Sequence, residues 1–318
     1  MTTPTYRPAQ LYDAALAADL RTAAFPMLPE DPVMTRYRWD NPREGWSEGM
    51  FIAEMERRAV AFLQWSHGPW EELPDRNGDV EVSLDRAVLS PELLTSLWEW
   101  LEEQAADEGI RVLSAYAGVA EHEVIDVLGL RGWKLERQEK VWELDLVKHG
   151  PRLVGEAAEA KTKAVAEGVE LTTIGDWGDT DGLRKLHALH EITVQDVPHS
   201  TPILPELFAT FAKRMHAPDR LHNRLWIAVH DDQPVAFSYL RYPPVRGHVW
   251  TGYTCTHPKY RGRGIARAIK LQSLKQAIEL GVPTVGTDND SENAPMLHIN
   301  EQLGYHSLPG WLEYLKKL

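Results

Sequence analysis

The sequence predicts an α/β protein built as two tandem units, and three observations predict it. The chain has 318 residues, more than one domain ordinarily holds. Residues 249–283 read as a strand, a basic glycine turn, and a long helix with its stop. The first half runs through a similar order of helix, strands and long helix, but without that turn.

Taken in order, Tyr6-Arg7-Pro8 precedes a helix near Leu11 to Phe25, and strands follow near Met50 to Glu54, Ala59 to Trp65 and Val80 to Leu84. Leu93 to Ala105 forms the long helix of this half, with Gly109 as its stop. Lys148-His149-Gly150-Pro151 and the charged, Ala-rich stretch through Glu167 mark a partly helical linker. The units are therefore 1–150 and 168–318, joined by 151–167. From Val169 onward the pattern is a strand, helices around Thr180 to Glu191 and Pro205 to Met215, and strands Leu225 to Val229 and Val235 to Tyr242. The run Val249 to Thr254 is aromatic and β-branched, which favours a strand, and His257-Pro258 ends it. Ile265, Ala268, Ile269, Leu271, Leu274 and Ala277 recur at helical spacing until Leu280-Gly281-Val282-Pro283 stops them. Thr284 to Thr287 is the next strand.

The turn between strand and helix has the makings of an anion site. Gly262 and Gly264 let successive backbone N–H groups point into one concavity, and the helix adds its unpaired donors and partial positive charge. Lys259, Arg261, Arg263, Arg267 and Lys270 crowd positive charge around it in a chain of formal net charge -13. A tight corner beside a solvated basic helix face is the plain alternative. A nucleotide P-loop is excluded, because Ile265-Ala266 follows Gly264 where Lys-Ser/Thr is needed. A dinucleotide fingerprint is disfavoured by Arg267 at its third small position.

The run Arg261-Gly262-Arg263-Gly264-Ile265-Ala266, behind a strand ending Thr254-Cys255-Thr256-His257-Pro258, resembles the acetyl-CoA loop of the GNAT N-acetyltransferase superfamily. Asn289, Asn293, Met296 and then Leu303-Gly304-Tyr305 are similar to that family's second motif. The resemblance implies two mostly antiparallel mixed sheets flanked by helices, and a strand splayed from its neighbour so that pantetheine lies in the opening. It implies backbone pairing of Thr254 and Thr256, flanking Cys255, with pantetheine amides. It also implies pyrophosphate on the amides of Arg261, Gly262, Arg263, Gly264, Ile265 and Ala266, with Asn293 and Asn289 near the cofactor arm. Capping of the next helix is the other role open to both asparagines. In the first half, Leu128-Gly129-Leu130-Arg131-Gly132-Trp133 mimics Leu303-Gly304-Tyr305. Asp85 to Glu92 there lacks glycine and carries acidic residues, which makes this half a degenerate, cofactor-free copy. Its expected role is to shape the acceptor pocket or to protect its partner's sheet edge.

Amine acetylation needs a neutral nucleophile, an oxyanion stabiliser and a proton for the leaving thiolate. The strand Gly247 to Thr256 has no carboxylate where the family often has its Glu, and Asn300 stands where the family often has Tyr. Asn300 and Tyr305, with Tyr253 and Tyr260 by residue type, are the remaining candidates near the sulfur. Base candidates are His190, Glu191, Asp196 and His199, in a segment expected between the first two helices of this unit; Asp196 is suited to holding an ammonium group. The polar loop is also an ordinary surface turn. His248 and His298 read as structural, and so do most of the twelve Trp residues, including Trp98, Trp100, Trp226 and Trp250. Cys255 reads as an apolar filler, and no metal is expected.

No apolar run reaches membrane-span length, no secretory signal pattern begins the chain, and a single Cys excludes an internal disulfide framework, so a cytoplasmic location is expected. The acidity argues against nucleic acid and suits a cationic substrate. Monomer and homodimer both stay open. The expected function is acetyl-CoA-dependent N-acetylation of a small-molecule amine. Protein or peptide N-acetylation, favoured by an open acidic groove, and non-catalytic acyl-CoA sensing are the rivals; a dinucleotide oxidoreductase is a weaker third.

Overall fold

The computed structural model describes residues 3–318. Its first half contains β1 (Thr5–Pro8), α1 (Ala14–Ala24), α2 (Pro32–Asp40), β2 (Ser47–Met55), β3 (Arg58–His67), β4 (Asn77–Leu84), α3 (Pro91–Glu108), β5 (Val112–Gly118), α4 (His122–Leu130) and β6 (Lys134–Asp145). Helix α5 (Leu146–Ala166) leads into β7 (Glu170–Thr173), α6 (Ile174–Trp177), α7 (Gly182–Val194), α8 (Phe208–Met215), β8 (Leu225–His230), β9 (Gln233–Arg241), β10 (Trp250–Thr256), α9 (Ile265–Glu279), β11 (Thr284–Asp290), α10 (Ala294–Leu303) and β12 (His306–Lys317). Residues 151–167 thus fall almost wholly within α5, whose Leu153, Ala157 and Ala164 are buried. Helix α2 was not apparent as an apolar periodicity, although Asp31 caps it through the amides of Val33 and Met34 and Pro32 opens it.

All twelve strands form one mixed sheet, in the order β1-β2-β3-β4-β5-β12-β6-β11-β10-β9-β8-β7. Each half is an antiparallel meander with one parallel step, β4 to β5 and β10 to β11. The final strand of each half lies in the other. β12 pairs with β5 from Trp311↔Gly118 to Lys317↔Val112, and β6 pairs with β11 from Thr284↔Asp145 to Asp290↔Glu139. β6 and β12 then pair antiparallel at the centre. The exchange carries side chains across with the strands: Tyr314 joins the first half's core around α3, while Trp142 and Leu144 join the core under α9.

Both parallel steps open into a V. β4 and β5 are in register only from Asn77↔Val112 to Asp79↔Ser114, and β10 and β11 only at Trp250↔Gly286. Beyond that point β10 bulges between Thr251 and Tyr253. Gly286 closes the second V, since a Cβ there would stand 2.1 Å from the Trp250 ring.

Glu102 ties the two halves together from α3. Its carboxylate accepts from Arg131, from Trp133 Nε1 at 2.9 Å, and from Lys316 Nζ on β12 at 2.7 Å. Burial alone would raise its pKa, yet the hydrogen bonds from Arg131, Lys316 and Trp133 hold it below the usual carboxylate range. A lowered acid stabilises the fold above its unfolded pKa, and that contribution is lost as pH falls through the folded value. Urea denaturation of Glu102→Ala should show a loss of about 3 kcal/mol at pH 7, because the Lys316 ammonium and the Trp133 indole N–H are left unpaired and Arg131 keeps only Glu99, and the gap to wild type should narrow at acid pH.

Candidate cofactor and acceptor site

The chain leaves β10 at Thr256, turns at His257, whose Nδ1 accepts from the Lys259 amide at 3.2 Å, and enters α9 through Gly262 and Gly264. These glycines have φ of +75° and +79°, and a Cβ at either would meet nothing within 4 Å. They serve the left-handed backbone that aims the loop amides outward. No side chain caps α9, so its first-turn donors and positive dipole end face the opening of the V. The Ile265 side chain, 4% exposed, anchors the turn in the core. The matching helix of the first half differs. Ser90 Oγ accepts from the Leu93 amide at 3.2 Å, Glu92 sits in the first turn, and Asp85 accepts from the Ala87 amide. That terminus satisfies itself and presents carboxylate rather than free donors.

The basic residues do not crowd this turn as the sequence suggests. Arg261 is ion-paired with Asp196 and reaches the Thr256 carbonyl, Arg263 faces Glu167 at 3.3 Å, and Arg267 bonds Glu156 at 2.6 Å. Lys270 is fully buried. Helical geometry explains the split, since α9 turns successive side chains to different faces and α5 supplies acids along one of them. The donors this loop leaves free for an anion are those of its backbone.

Beneath the V, Lys270 Nζ donates to Asn300 Oδ1 at 2.9 Å, and Asn300 Nδ2 donates to Asn289 Oδ1 at 2.6 Å. Lys270 lies 4.9 Å from the centre of the Tyr305 ring, and burial draws its pKa down to about 7. Asn300 has no exposed surface and Tyr305 is 5% exposed, so both belong to the packed floor, with only Asn289 half-buried above them. Asn293 caps α10 through the Met296 amide. Asp196 stands at the glycine turn, ion-paired with Arg261, apart from Asn300 and Tyr305. Thr254 bonds Ser238 at 2.8 Å, and buried Thr256 shares that face of β10.

Cys255 points the other way, into the core under α7, where burial pushes its thiol up to about 12. His190 is also buried there; desolvation and the neighbouring Arg214 charge drop its pKa to about 4, which keeps the ring neutral. α7 runs through Val194, so Glu191 to Val194 are helical rather than inter-helical. His199 is exposed and contacts only the Val197 carbonyl.

On the face of the sheet opposite α9, three cavities of about 670, 290 and 410 Å³ meet at Trp311. They run over the sheet between α2 of the first half and α8 of the second. Here the exchanged strands bring carboxylates together that sequence reasoning missed. Glu139 on β6 stands opposite Asp290 on β11 and Trp311 on β12. Burial first, then the charges of Asp288, Glu313 and Asp290, lifts its pKa to about 7. Asp288 accepts from Trp250 Nε1 at 2.5 Å at the closed end of the V. Glu313 on β12 accepts from Ser114 and Ser200, and Asp79 on β4 is raised to about 6, mainly by burial. No motif marks Glu139; its segment shows only strand alternation, and its position depends on pairing with residues some 150 positions away.

Residues 186–305 match the family model described as Acetyltransferase (GNAT) family. The matched residues lie in the second half. The whole chain has the tandem GNAT fold. A tandem GNAT protein from the clavulanic acid biosynthesis pathway is similar over 99% of this chain and 98% of its own, with TM-score 0.75 at 16% identity. A GCN5-related N-acetyltransferase from Sphaerobacter thermophilus is similar over 99% and 95%, with TM-score 0.68 at 16% identity. A putative acetyltransferase from Pyrococcus horikoshii is similar over 100% and 90%, with TM-score 0.59 at 11% identity. No curated protein sequence matches the chain. The GNAT fold supports acyl-CoA-dependent acetyl transfer in general, and the uncapped turn at Gly262 and Gly264 lies within the matched residues.

Gly264→Glu places a carboxylate at this turn and a side chain at positive φ, a backbone strain of about 1 kcal/mol to which the open surroundings add no clash. Calorimetric titration with acetyl-CoA should show binding abolished while circular dichroism is unchanged. Arg86→Ala, beside the self-capped α3, should leave the wild-type affinity intact.

Proposed function

We propose that this protein is an acetyl-CoA-dependent N-acetyltransferase of small-molecule amines, with one cofactor site per chain, in the second half. The observation that supports it most is Glu139, a carboxylate with a pKa of about 7, opposite Asp290 of β11 and on the wall of a cavity lined by β4 and β5 that meets the Asp288-lined cavity at Trp311. Bound acetyl-CoA would supply the acyl thioester, with its pyrophosphate on the amides of residues 261–266 and its pantetheine in the V between β10 and β11. An acceptor amine arrives as an ammonium ion and must lose a proton before it is nucleophilic. Glu139 is placed to take that proton, and Asp288 and Glu313 to attract the cation. Trp311 and Phe25, in edge contact at 5.2 Å, wall the cleft against bulk water. Cavities of about 670 Å³ and less are of small-ligand size, which favours a small acceptor over an extended polypeptide.

A base must be ionised to act, so kcat/KM for the amine should fall as pH drops through about 7. Thiol release measured across a panel of amines should show that limb in the wild type. In Glu139→Gln it should be absent, with kcat roughly 100- to 1,000-fold lower and acetyl-CoA affinity unchanged. Full activity in Glu139→Gln would assign the base elsewhere.

A further inference from the structure

The acceptor cleft is electrically two-ended. Carboxylates gather where β6, β11 and β12 meet, whereas the part shared by the two cavities beside β9 and α2 carries guanidinium groups. Most of these are already paired: Arg21 with Glu81 at 2.7 Å, Arg214 with Glu206 at 2.5 Å, Arg38 with Glu30, and Arg220 beside Asp219 at 3.8 Å. Arg241, at the end of β9, is different. Among the described residues it takes part in no ion pair, and its Nε is buried without a hydrogen-bond partner. It lines both cavities, as Arg38 and Asp219 do. Of the two arginines that line both cavities, Arg38 is paired with Glu30 and Arg241 is in no ion pair; Arg43, on the first cavity alone, lies over the Trp46 ring.

The register fixes its relation to the acidic end. Arg241 pairs with Trp250 on β10, Trp250 pairs with Gly286 on β11, and the Trp250 indole donates to Asp288. Arg241 and Asp288 are thus two strands apart, roughly 10 Å at the backbone, and both line the same cavity. Glu139 is one strand further on. A molecule carrying an ammonium group at one end and an anion a few bonds away would satisfy both ends at once. A plain alkylamine would leave a buried guanidinium unpaired, which costs binding free energy.

We infer that the acceptor is an amino carboxylate, its carboxylate held by Arg241 and its amine presented to Asp288 and Glu139. The inference rests on the acetyl-transfer reading and narrows its substrate class. A guanidinium fork suits a carboxylate in two-point contact, so Arg241 sets specificity without touching the reacting nitrogen.

The test uses the full-length protein and matched pairs of acceptors: ω-amino acids from glycine to 6-aminohexanoate, each against the unbranched amine left when its carboxylate is removed. Thiol release should favour the amino acid in at least one pair by roughly 10- to 100-fold in kcat/KM, the scale of one charge-assisted contact. Arg241→Gln should raise KM for that amino acid by a similar factor, with kcat and acetyl-CoA affinity little changed, and should leave its partner amine unaffected. Arg241→Lys should recover part of the preference, which a fold defect would not do. Equal turnover within every pair, or a preference that survives Arg241→Gln, overturns the inference while leaving acetyl transfer standing. If no acceptor releases thiol, the acetyl-transfer reading fails separately. Calorimetry of the protein–CoA complex with 6-aminohexanoate and pentylamine then decides the anion site, and equal or absent binding of the two overturns it.

Discussion

The pairing of β6 with β12 at the centre of the sheet is the constraint on which the rest of the molecule depends. In either half alone, the strand after the parallel step would present an unpaired edge, a row of backbone donors and acceptors that must be satisfied or covered. Here each half completes the other: β12 covers β5, β6 covers β11, and the two exchanged strands bond to each other. Side chains travel with them, so Tyr314 packs into the first core and Trp142 into the second. The halves cannot separate without breaking a continuous hydrogen-bond ladder and two cores. Lys316 bonded to Glu102 adds a charge contact to the same seam.

This arrangement separates two kinds of binding surface. On the α9 side the V between β10 and β11 meets an uncapped helix start, where two left-handed glycines aim amides at a single region. The arginines that accompany them are bound to Asp196, Glu167 and Glu156, so they brace the loop against α5 and its neighbours. A dipole end with fixed donors suits an anion without any side chain having to reorganise. The first half keeps the strand and helix but caps the helix with Ser90, which removes the donors at their source.

On the other face the exchange concentrates acids. Glu139, Asp288, Glu313 and Asp79 come from four different strands, and burial first, with repulsion from the neighbouring carboxylates added to it, raises Glu139 and Asp79 toward neutrality. A cation entering there relieves that repulsion. The arginines opposite, most of them matched by a nearby acid and Arg241 matched by none, give the cleft a direction. The first half thus contributes walls and charge to a cleft it shares with the second, which alone carries the uncapped glycine turn.

Local chemistry made part of this visible in the sequence alone. Residues 250–256 are β-branched and aromatic, Gly262 and Gly264 take the left-handed backbone that only glycine adopts cheaply, and α9 repeats its apolar residues until Gly281. Ser90 and Pro91 likewise announce a self-sufficient helix start. Such features are decided within a few residues, by sterics and capping. Glu139 could not be read this way, because it lies in an ordinary alternating strand whose partners are set by pairing far along the chain. The same is true of Arg241, which looks like any strand-end arginine until its neighbours prove to have other partners, and of Lys270, whose burial under Tyr305 follows from helix packing. The sequence by itself determined the strand–turn–helix units and the difference between the two turns, since these depend on backbone conformation at single residues. Only the tertiary structure decided which strands pair, and hence which charges meet in the cleft, because strand exchange is a choice between equivalent partners that no local pattern encodes.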